Sequence, residues 1–350
     1  MRSLVVCVVS ALLLASVADA ARAIAYVGET NDFLTNTIGG WVQFDQATEL
    51  GDVHVTGVIS GFAPNSVHGF HVHLYGDSRT PYATTTLGSH FSIGAGDDAT
   101  HGYPPSAVRH PGDMGNITSD DNGAFTLDFS LSQGKMSLSH VDRSIIGRAV
   151  VIHGGADNGG PPTGSSGTPF AFGKIGIANV GGNTAAPAVG ISAAISNHVG
   201  VNSQIAGGKL WISSFNGNIT VYTDFTALPA GNYRLGFYDY GVLTNTTWNA
   251  GNALSTEAVL DITSQTPICQ ALHASTVRSL VGKMSVVWSA TGSAFSDIVS
   301  MGVISIGNPN VAFTPQPAGE CLQAASLTSG AMHVQAAWAL VVLAVLALFA

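Results

Sequence analysis

The segment Gly69-Phe70-His71-Val72-His73-Leu74-Tyr75-Gly76-Asp77 decides the fold of this chain. Its two histidines alternate with apolar residues, and successive side chains of a β-strand point to opposite faces. Both imidazoles therefore share one face of a strand, while the apolar residues pack on the other face. Such a pair is weak evidence alone, but further ligand-type residues follow within one domain's length: His90, His101, His110, Asp113 and His153. The seven residues together predict a metal site.

The composition of the chain favours an all-β protein. Charged residues make up only 9% of the 350 positions, and segments rich in Val, Ile and Thr are separated by Gly, Asn, Pro and Asp. Such segments are typical of strands, and no long amphipathic helical pattern interrupts them. The net charge of -9, with no basic run, argues against a nucleic-acid partner.

The order of the predicted elements places the ligands on strands and in one long loop. Strands are predicted at 23–27, 40–44, 54–60, the segment quoted above, 124–129, 145–152 and 172–180. A loop from Asp77 to Gly123 is expected to be held by its own potential ligands. A second loop, Gly154–Thr168, is rich in Gly and Pro. Five other histidines are expected at the surface: His54, His68, His140, His198 and His273.

The first half of the chain recurs in weaker form in the second half. The segment Arg143-Ser144-Ile145-Ile146-Gly147-Arg148 recurs as Arg278-Ser279-Leu280-Val281-Gly282-Lys283, and Gly173–Asn179 recurs as Gly302–Asn308. The spacing between motifs shrinks in the second copy, which indicates that it keeps the strands and loses part of the long loop. Three ligand positions change in register: His71, His73 and His153 become Gly236, Tyr238 and Trp288. The second copy is therefore predicted to be metal-free.

Both ends of the chain resemble processing signals. Residues 1–20 combine a basic start, an apolar run and a small-x-small cleavage site, which predicts a secretory signal peptide. Residues 321–350 combine small residues, a polar spacer and an apolar tail, which predicts a GPI-attachment signal with the anchor on Ser326 or Ser329. The alternative is a transmembrane helix, but the apolar run is short and no basic residue follows it.

A secreted protein is exposed to an oxidising environment. After removal of Cys7 with the signal, Cys269 and Cys321 remain and are predicted to form a disulfide. Three sequons are predicted glycosylation sites: Asn116, Asn218 and Asn245. For Asn116 the alternative is an ordinary strand residue. The expected organisation is a metal-binding domain at 21–180, a linker at 181–205 that could include the first strand of the next repeat, and a metal-free β domain at 206–320.

With these residues and motifs, the chain resembles the copper/zinc superoxide dismutase family. The matching motifs are Gly-Phe-His71-Val-His73-x-x-Gly-Asp, Gly-Ser-His90-Phe, His101-Gly-Tyr-Pro, Arg-His110-Pro-Gly-Asp113-Met-Gly-Asn-Ile-Thr, Ile-Ile-Gly-Arg-Ala-Val-Val-Ile-His153 and Gly-Lys-Ile-Gly-Ile-Ala. Their order and spacing are specific, and they span about residues 23–180. The resemblance implies a Greek-key β-sandwich or barrel of the copper/zinc superoxide dismutase type, here tandemly repeated.

The resemblance also assigns a role to each ligand. It implies copper bound by His71, His73, His90 and His153, and zinc bound by His90, His101, His110 and Asp113. His90 would bridge the two metals and act catalytically, releasing copper and taking up a proton when copper is reduced. Asp157 would tie copper and zinc histidines together, as outer partners of metal ligands do. The implied reaction converts superoxide to oxygen and hydrogen peroxide.

Two features of the family are missing from this chain. No cysteine lies between residues 8 and 268, and Thr84 and Phe172 occupy the positions of the family's internal disulfide. No Lys or Arg occurs from 149 to 173, so the arginine that guides the anionic substrate is absent and Pro169 takes its place. Arg79 and Lys174 are candidate substitutes. A slower dismutase is expected, because positive charge at a cleft mouth raises anion association rates.

These departures keep alternative functions open. The leading hypothesis is a GPI-anchored extracellular dismutase on the outer membrane leaflet, with the second repeat pairing internally with the first in place of a homodimer partner. The alternative is a non-catalytic copper- and zinc-binding or structural cell-surface protein. Adhesion through the second repeat is a third hypothesis, supported only by the predicted anchor and glycosylation.

Overall fold

The computed structural model describes only part of the chain, in blocks separated by gaps. The described residues are 20–28, 38–78, 84–94, 96, 100–132, 134–178, 184, 193–200, 208–215, 218–225, 228–241, 253–254, 258–261, 268–270, 277–291 and 297–311. Within these blocks, no helix has the length and apolar character needed to cross a membrane.

The first half of the chain forms one sheet of nine strands. They are β1 (Ala21–Gly28), β2 (Gly39–Gln46), β3 (Val53–Ser60), β4 (Val67–His73), β5 (Asp113–Thr118), β6 (Phe125–Leu131), β7 (Ala149–His153), β8 (Pro169–Lys174) and β9 (Gly176–Ile177). The strand order is β5-β4-β7-β8-β1-β2-β3-β6, and β9 pairs with β1. Because β5 and β6 also contact each other, the sheet curves into a near-closed barrel.

Alternation of side chains explains which faces are buried. On β3, Val53, Val55 and Ile59 are buried in the core, whereas the alternate residues His54, Thr56 and Val58 are more exposed. On β4, Phe70 and Val72 join the same core, but almost the whole strand is buried. The histidine face of β4 is therefore also covered, by the loops that carry the remaining ligands.

The second half repeats the first strand by strand. Its strands are β10 (Ala193–Gly200), β11 (Gly208–Phe215), β12 (Asn218–Asp224), β13 (Asn232–Tyr238), β14 (Ala258–Asp261), β15 (Ile268–Gln270), β16 (Met284–Ser289) and β17 (Ile298–Ile306), with a short 3-10 helix at Val277–Leu280. Their order, β14-β13-β16-β17-β10-β11-β12-β15, is the first order shifted by nine strands. The predicted tandem all-β fold is confirmed.

Four backbone hydrogen bonds join the two halves in equivalent pairs. The N–H of Ile306 donates to Gly147 O and the N–H of Ile177 donates to Gly282 O, both at 2.8 Å. The N–H of Gly76 donates to Ile306 O at 3.2 Å, and that of Gly241 donates to Ile177 O at 2.9 Å. Each bond in one direction thus has its counterpart in the other, as in an interface with twofold symmetry.

The long loop expected from Asp77 to Gly123 is partly regular. It contains a four-residue helix, α1 (Thr84–Leu87), and strand β5, which pairs with β4. Periodicity missed β5 because the segment Asp113-Met-Gly-Asn-Ile-Thr lacks alternation, and its pairing is supplied by β4. Strand β10, the first strand of the second sheet, lies within the segment 181–205, which was expected to be a linker that could include this strand.

Candidate metal centre

The described structure brings all seven predicted ligands together. His71 and His73 lie on β4, His153 ends β7, Asp113 begins β5, and His90 pairs with His73 through an isolated β-bridge. They form two overlapping groups, in each of which the ligand atoms lie within 4.8 Å of one another. We name these the all-histidine group (His71, His73, His90 and His153) and the aspartate group (His90, His101, His110 and Asp113).

Hydrogen bonds fix the orientation of the rings in the all-histidine group. His73 Nδ1 lies 2.8 Å from Gly88 O, and His153 Nδ1 lies 2.8 Å from Gly167 O. A carbonyl accepts from a protonated nitrogen, so Nε2 of both rings carries the lone pair. These two Nε2 atoms are 3.2 Å apart. His71 is reversed: its Nε2 contacts Asp157 Oδ2 at 2.8 Å, which leaves Nδ1 for a metal.

The aspartate group is arranged around the carboxylate of Asp113. Nδ1 of His90 lies 2.8 Å from Asp113 Oδ1, Nδ1 of His101 lies 3.0 Å from Oδ2, and Nδ1 of His110 lies 3.3 Å from Oδ2. Three nitrogens and one carboxylate therefore converge, a donor set that suits zinc. His90 belongs to both groups, with Nδ1 toward Asp113 and Nε2 remaining on the side of the all-histidine group.

Two buried nitrogens test whether these residues fit metals. His71 Nδ1 and His101 Nδ1 are buried and make no hydrogen bond, although His101 Nδ1 lies 3.0 Å from Asp113 Oδ2. A buried polar atom without a partner is costly, and each of these atoms points into one of the two groups. Metal coordination removes that cost. The all-histidine set suits copper and the three-histidine, one-aspartate set suits zinc, so the residues fit both predicted ions.

Asp157 connects the two groups, as predicted. Its carboxylate contacts Nε2 of His71 at 2.8 Å and Nε2 of His101 at 3.0 Å. Its backbone is held by Asn116, whose Oδ1 accepts from Asp157 N and whose Nδ2 donates to Asp157 O, both at 2.8 Å. The hydroxyl of Tyr103 also donates to Asp157 O. From the sequence, Asn116 was predicted as a glycosylation site or a strand residue, and Tyr103 was noted only as part of a motif; neither contact with Asp157 was predicted.

Burial favours the neutral form of three ligands of the all-histidine group, His71, His73 and His153. It lowers the pKa of His71 and of His153 to about 4, and it also lowers the pKa of His73 well below its usual value. Neutral imidazole is the form that binds a metal. For Asp113, hydrogen bonds from His101, His110 and His90 outweigh burial and hold the pKa well below its usual range. The aspartate group therefore presents a carboxylate.

His68 was expected at the surface, and that prediction is wrong. The side chain is 8% exposed, and its ring packs against Phe62, Phe125 and Phe170. Its Nδ1 lies 2.7 Å from the carbonyl oxygen of His153. His68 lies one residue before the quoted segment and on the face of the strand opposite to that of His71. Nothing in the sequence therefore indicated its contact with the backbone of the ligand His153.

The described cations that flank segment 149–173, Lys174 and Arg148, are buried, and neither is placed to guide an anionic substrate from solvent. Lys174 is buried, and burial lowers its pKa to about 7 while Asp77 opposes the shift. A buried ammonium that faces a carboxylate is not a solvent-facing attractor of anions. Arg148 is also buried and lies over the ring of Phe91. Arg79 lies outside the described residues.

The second repeat carries aromatic side chains, Tyr238 and Trp288, at the positions of His73 and His153. β4 pairs His73 with Ala149 of β7, and β13 pairs Tyr238 with Met284 of β16 in the same register. Trp288 Nε1 donates a hydrogen bond to Tyr238 Oη at 3.0 Å. Tyr238 and Trp288 therefore form a hydrogen bond at the positions where His73 and His153 face each other in the first repeat. These are the replacements read from the sequence.

Several predicted sites lie partly or wholly outside the described residues. Cys269 lies on β15 and Asn218 begins β12, so their backbones are described. The other predicted positions are outside: Cys321, Asn245, Ser326 and Ser329. The disulfide, the glycans and the anchor therefore stay predictions, as does the signal at 1–20.

Comparisons with known proteins agree with this geometry. A family model described as copper/zinc superoxide dismutase (SODC) matches residues 38–175. The copper-zinc superoxide dismutase of Cordyceps militaris is 37% identical over 153 residues, which cover 41% of this chain and 92% of the relative. That of Saccharomyces cerevisiae is 38% identical over 149 residues, with the same coverage of 41% and 92%. The crystal structure of the clock protein EA4 matches with 38% identity and a TM-score of 0.39, covering 45% of this chain and 95% of its own.

Proposed function

The chain belongs to the copper/zinc superoxide dismutase family, and we propose that it removes superoxide at the outer face of a cell membrane. It is a superoxide dismutase whose cofactors are copper and zinc. The reaction takes two superoxide ions and two protons and yields one oxygen molecule and one hydrogen peroxide molecule. The observation that carries this conclusion is the pair of buried ligand groups that share His90.

The residues of the two groups divide the work of the site. Copper, when bound, supplies one-electron redox chemistry, and zinc supplies a fixed positive charge. His90 holds its Nδ1 against Asp113 at 2.8 Å, so Nε2 is the atom that can hold a proton on the copper side. Its ring stacks on that of His71 at 3.9 Å between centroids, which limits how far it can turn. Asp157 fixes the His71 and His101 rings, and thus couples the two groups.

We propose that the enzyme is slower than is usual in the family. Its segment 149–173 has no cation to attract superoxide, and the described cations that flank the segment, Arg148 and Lys174, are both buried. The net charge of -9 repels an anionic substrate. The same observation favours the second candidate function, a non-catalytic copper- and zinc-binding surface protein. The seven intact ligands favour the enzyme.

We propose that the second repeat acts as an internal partner of the first. The support is the set of four equivalent backbone hydrogen bonds between Gly76, Gly147, Ile177 and their counterparts. An intramolecular partner would make a homodimer unnecessary. Sedimentation of the secreted chain tests this: we expect a monomer, whereas a tight dimer built through the first repeat would contradict it.

The extracellular location is likewise a proposal that rests on the two ends of the sequence. It predicts a mature chain that begins near Ala21 and a C-terminal glycolipid. Phospholipase specific for phosphatidylinositol should release the protein from intact cells, and mass spectrometry of the released chain should find the anchor at Ser326 or Ser329. Retention at the surface after treatment would favour a transmembrane helix instead.

A single substitution separates the enzyme from the binding protein. His153→Ala removes a ligand of the all-histidine group and leaves the aspartate group complete. We expect copper content and superoxide consumption to fall together while one zinc per chain remains. Activity that survives would show that the copper assignment is wrong. Two metals in the native chain with no activity would establish the binding function.

A further inference from the structure

We propose that Asn308 of the second repeat is a positioning residue for the copper ligand His73, acting through the backbone from Thr86 to Gly88. The inference rests on the proposed function only in that it takes His73 as a ligand of copper. It gives the metal-free repeat a defined role at the site of the first repeat.

The orientation of His73 depends on one carbonyl group. Nδ1 of His73 lies 2.8 Å from Gly88 O, and Nε2 faces Nε2 of His153. If Gly88 O moved away, the ring would lose the acceptor that keeps its proton on Nδ1. Nε2 would then no longer be reserved for the metal. The position of Gly88 is therefore part of the copper site.

Gly88 lies in a short segment that backbone hydrogen bonds tie to the residues after β4 in the described structure. It follows α1, which has only four residues, Thr84–Leu87. Within the first repeat, the N–H of Tyr75 donates to Leu87 O at 3.0 Å and that of Leu74 donates to Ser89 O at 2.9 Å. No cysteine lies between residues 8 and 268, so no disulfide ties this segment to the barrel.

The second repeat supplies further ties. Asn308, which follows β17, donates from Nδ2 to Thr86 O at 3.2 Å and from its backbone N–H to Asp77 Oδ2 at 2.8 Å. All three residues are buried. Ser305 Oγ also donates to Gly76 O at 2.8 Å. Asn308 thus bonds to Thr86 through its side chain and to Asp77 through its backbone, and Thr86 lies two residues before Gly88.

Burial makes the bond from Asn308 to Thr86 consequential. Thr86 is 1% exposed, so solvent does not readily replace a lost donor. Without Asn308 Nδ2, the carbonyl group of Thr86 loses this donor, and we expect the backbone to shift toward another one. Gly88 is two residues away and would move with it. The effect reaches the metal by way of Gly88 O. Three residues of the aspartate group, His101, His110 and Asp113, lie in later segments of the chain, and the fourth, His90, is held by Asp113 Oδ1 at 2.8 Å.

The test replaces Asn308 and measures each metal separately in the full secreted chain. Asn308→Ala removes the side chain, and Asn308→Asp keeps its size and Oδ1 while losing the Nδ2 donor. Asn310→Ala is the matched control, because Asn310 is exposed and donates to Asn308 Oδ1 through its backbone N–H, which the substitution keeps. The readouts are copper affinity by chelator competition, the Cu(II) EPR spectrum, zinc content and the unfolding midpoint of the metal-free chain.

We expect both Asn308 variants to lose copper affinity by about 10-fold, the lower end of the effect of outer partners of metal ligands. Their Cu(II) EPR spectra should change, while zinc content matches that of Asn310→Ala. Spectra and copper affinities equal to the control would overturn the inference, and so would a parallel loss of both metals, which indicates general unfolding. Failure of the proposed function is distinguishable, because it would show in the native chain itself, as missing copper or as two bound metals without superoxide consumption.

Discussion

Gly147→Ala should weaken the contact between the two repeats by an amount that the structure allows us to estimate. Gly147 has φ +77° and its carbonyl accepts from Ile306, and an added Cβ would lie 2.1 Å from Cγ1 of Val281. The left-handed backbone costs a non-glycine residue about 1–2 kcal/mol. Relief of the overlap adds about 1–3 kcal/mol. We expect a total loss of about 2–5 kcal/mol in the free energy of unfolding.

A matched glycine separates the two contributions. Gly94 has nearly the same φ, +76°, but no atom lies within 4 Å of an added Cβ. Gly94→Ala should therefore cost only the backbone strain of about 1–2 kcal/mol. The reciprocal change, Gly282→Ala, should resemble Gly147→Ala, because its Cβ would lie 2.3 Å from Cγ2 of Ile146.

The assay is urea unfolding of the metal-free chain, with the midpoint and slope compared among the three variants and the native protein. Equal losses for Gly147→Ala and Gly94→Ala would refute the reasoning, since Gly147 would then not be packed on Val281. A loss for Gly147→Ala without one for Gly282→Ala would refute the twofold equivalence of the contact.

Three further predictions concern the metal centre. Asn116→Ala should lower zinc affinity about 10-fold, measured by chelator competition, because it frees the backbone of Asp157. Thr118→Val also removes the sequon but should leave zinc affinity unchanged. Equal effects of the two substitutions would assign the loss to the glycan. The superoxide rate constant should stay flat or rise when ionic strength increases from about 0.01 to 0.15 M, over which the Debye length falls from about 30 to 8 Å; a several-fold decrease would reveal a guiding cation. The metal-free chain should lose stability as pH falls from about 6.5 to 4, because the pKa values of His71 and His153 are lowered to about 4 and the unfolded chain binds protons first. The free energy of unfolding should fall by at most about 3 kcal/mol per histidine. Unfolding midpoints that do not change with pH would contradict this prediction.

The sequence predicted the ligands well because their order and spacing are constrained by strands. His71 and His73 share a face by the two-residue period of β4, and His153 ends β7 beside them. The tandem fold was predicted for the same reason, since motifs of strands recur in the same order in both halves.

The features that sequence reasoning missed depend on contacts between distant segments. β5 lacks alternation and is a strand because it pairs with β4. No pattern in the sequence marks His68, yet its ring nitrogen contacts the backbone carbonyl oxygen of His153. Asn116 matched a glycosylation motif, which concealed its two bonds to Asp157. Such contacts arise from tertiary packing, which local periodicity does not encode.

The most direct test of the central claim is the decay of superoxide after a radiolysis pulse. The full secreted chain is loaded with one copper and one zinc, and EDTA is added to suppress free copper. The account predicts that each copper removes many superoxide ions, at a rate proportional to protein concentration and lost in His153→Ala. Decay no faster than the spontaneous reaction, with both metals bound, would contradict it.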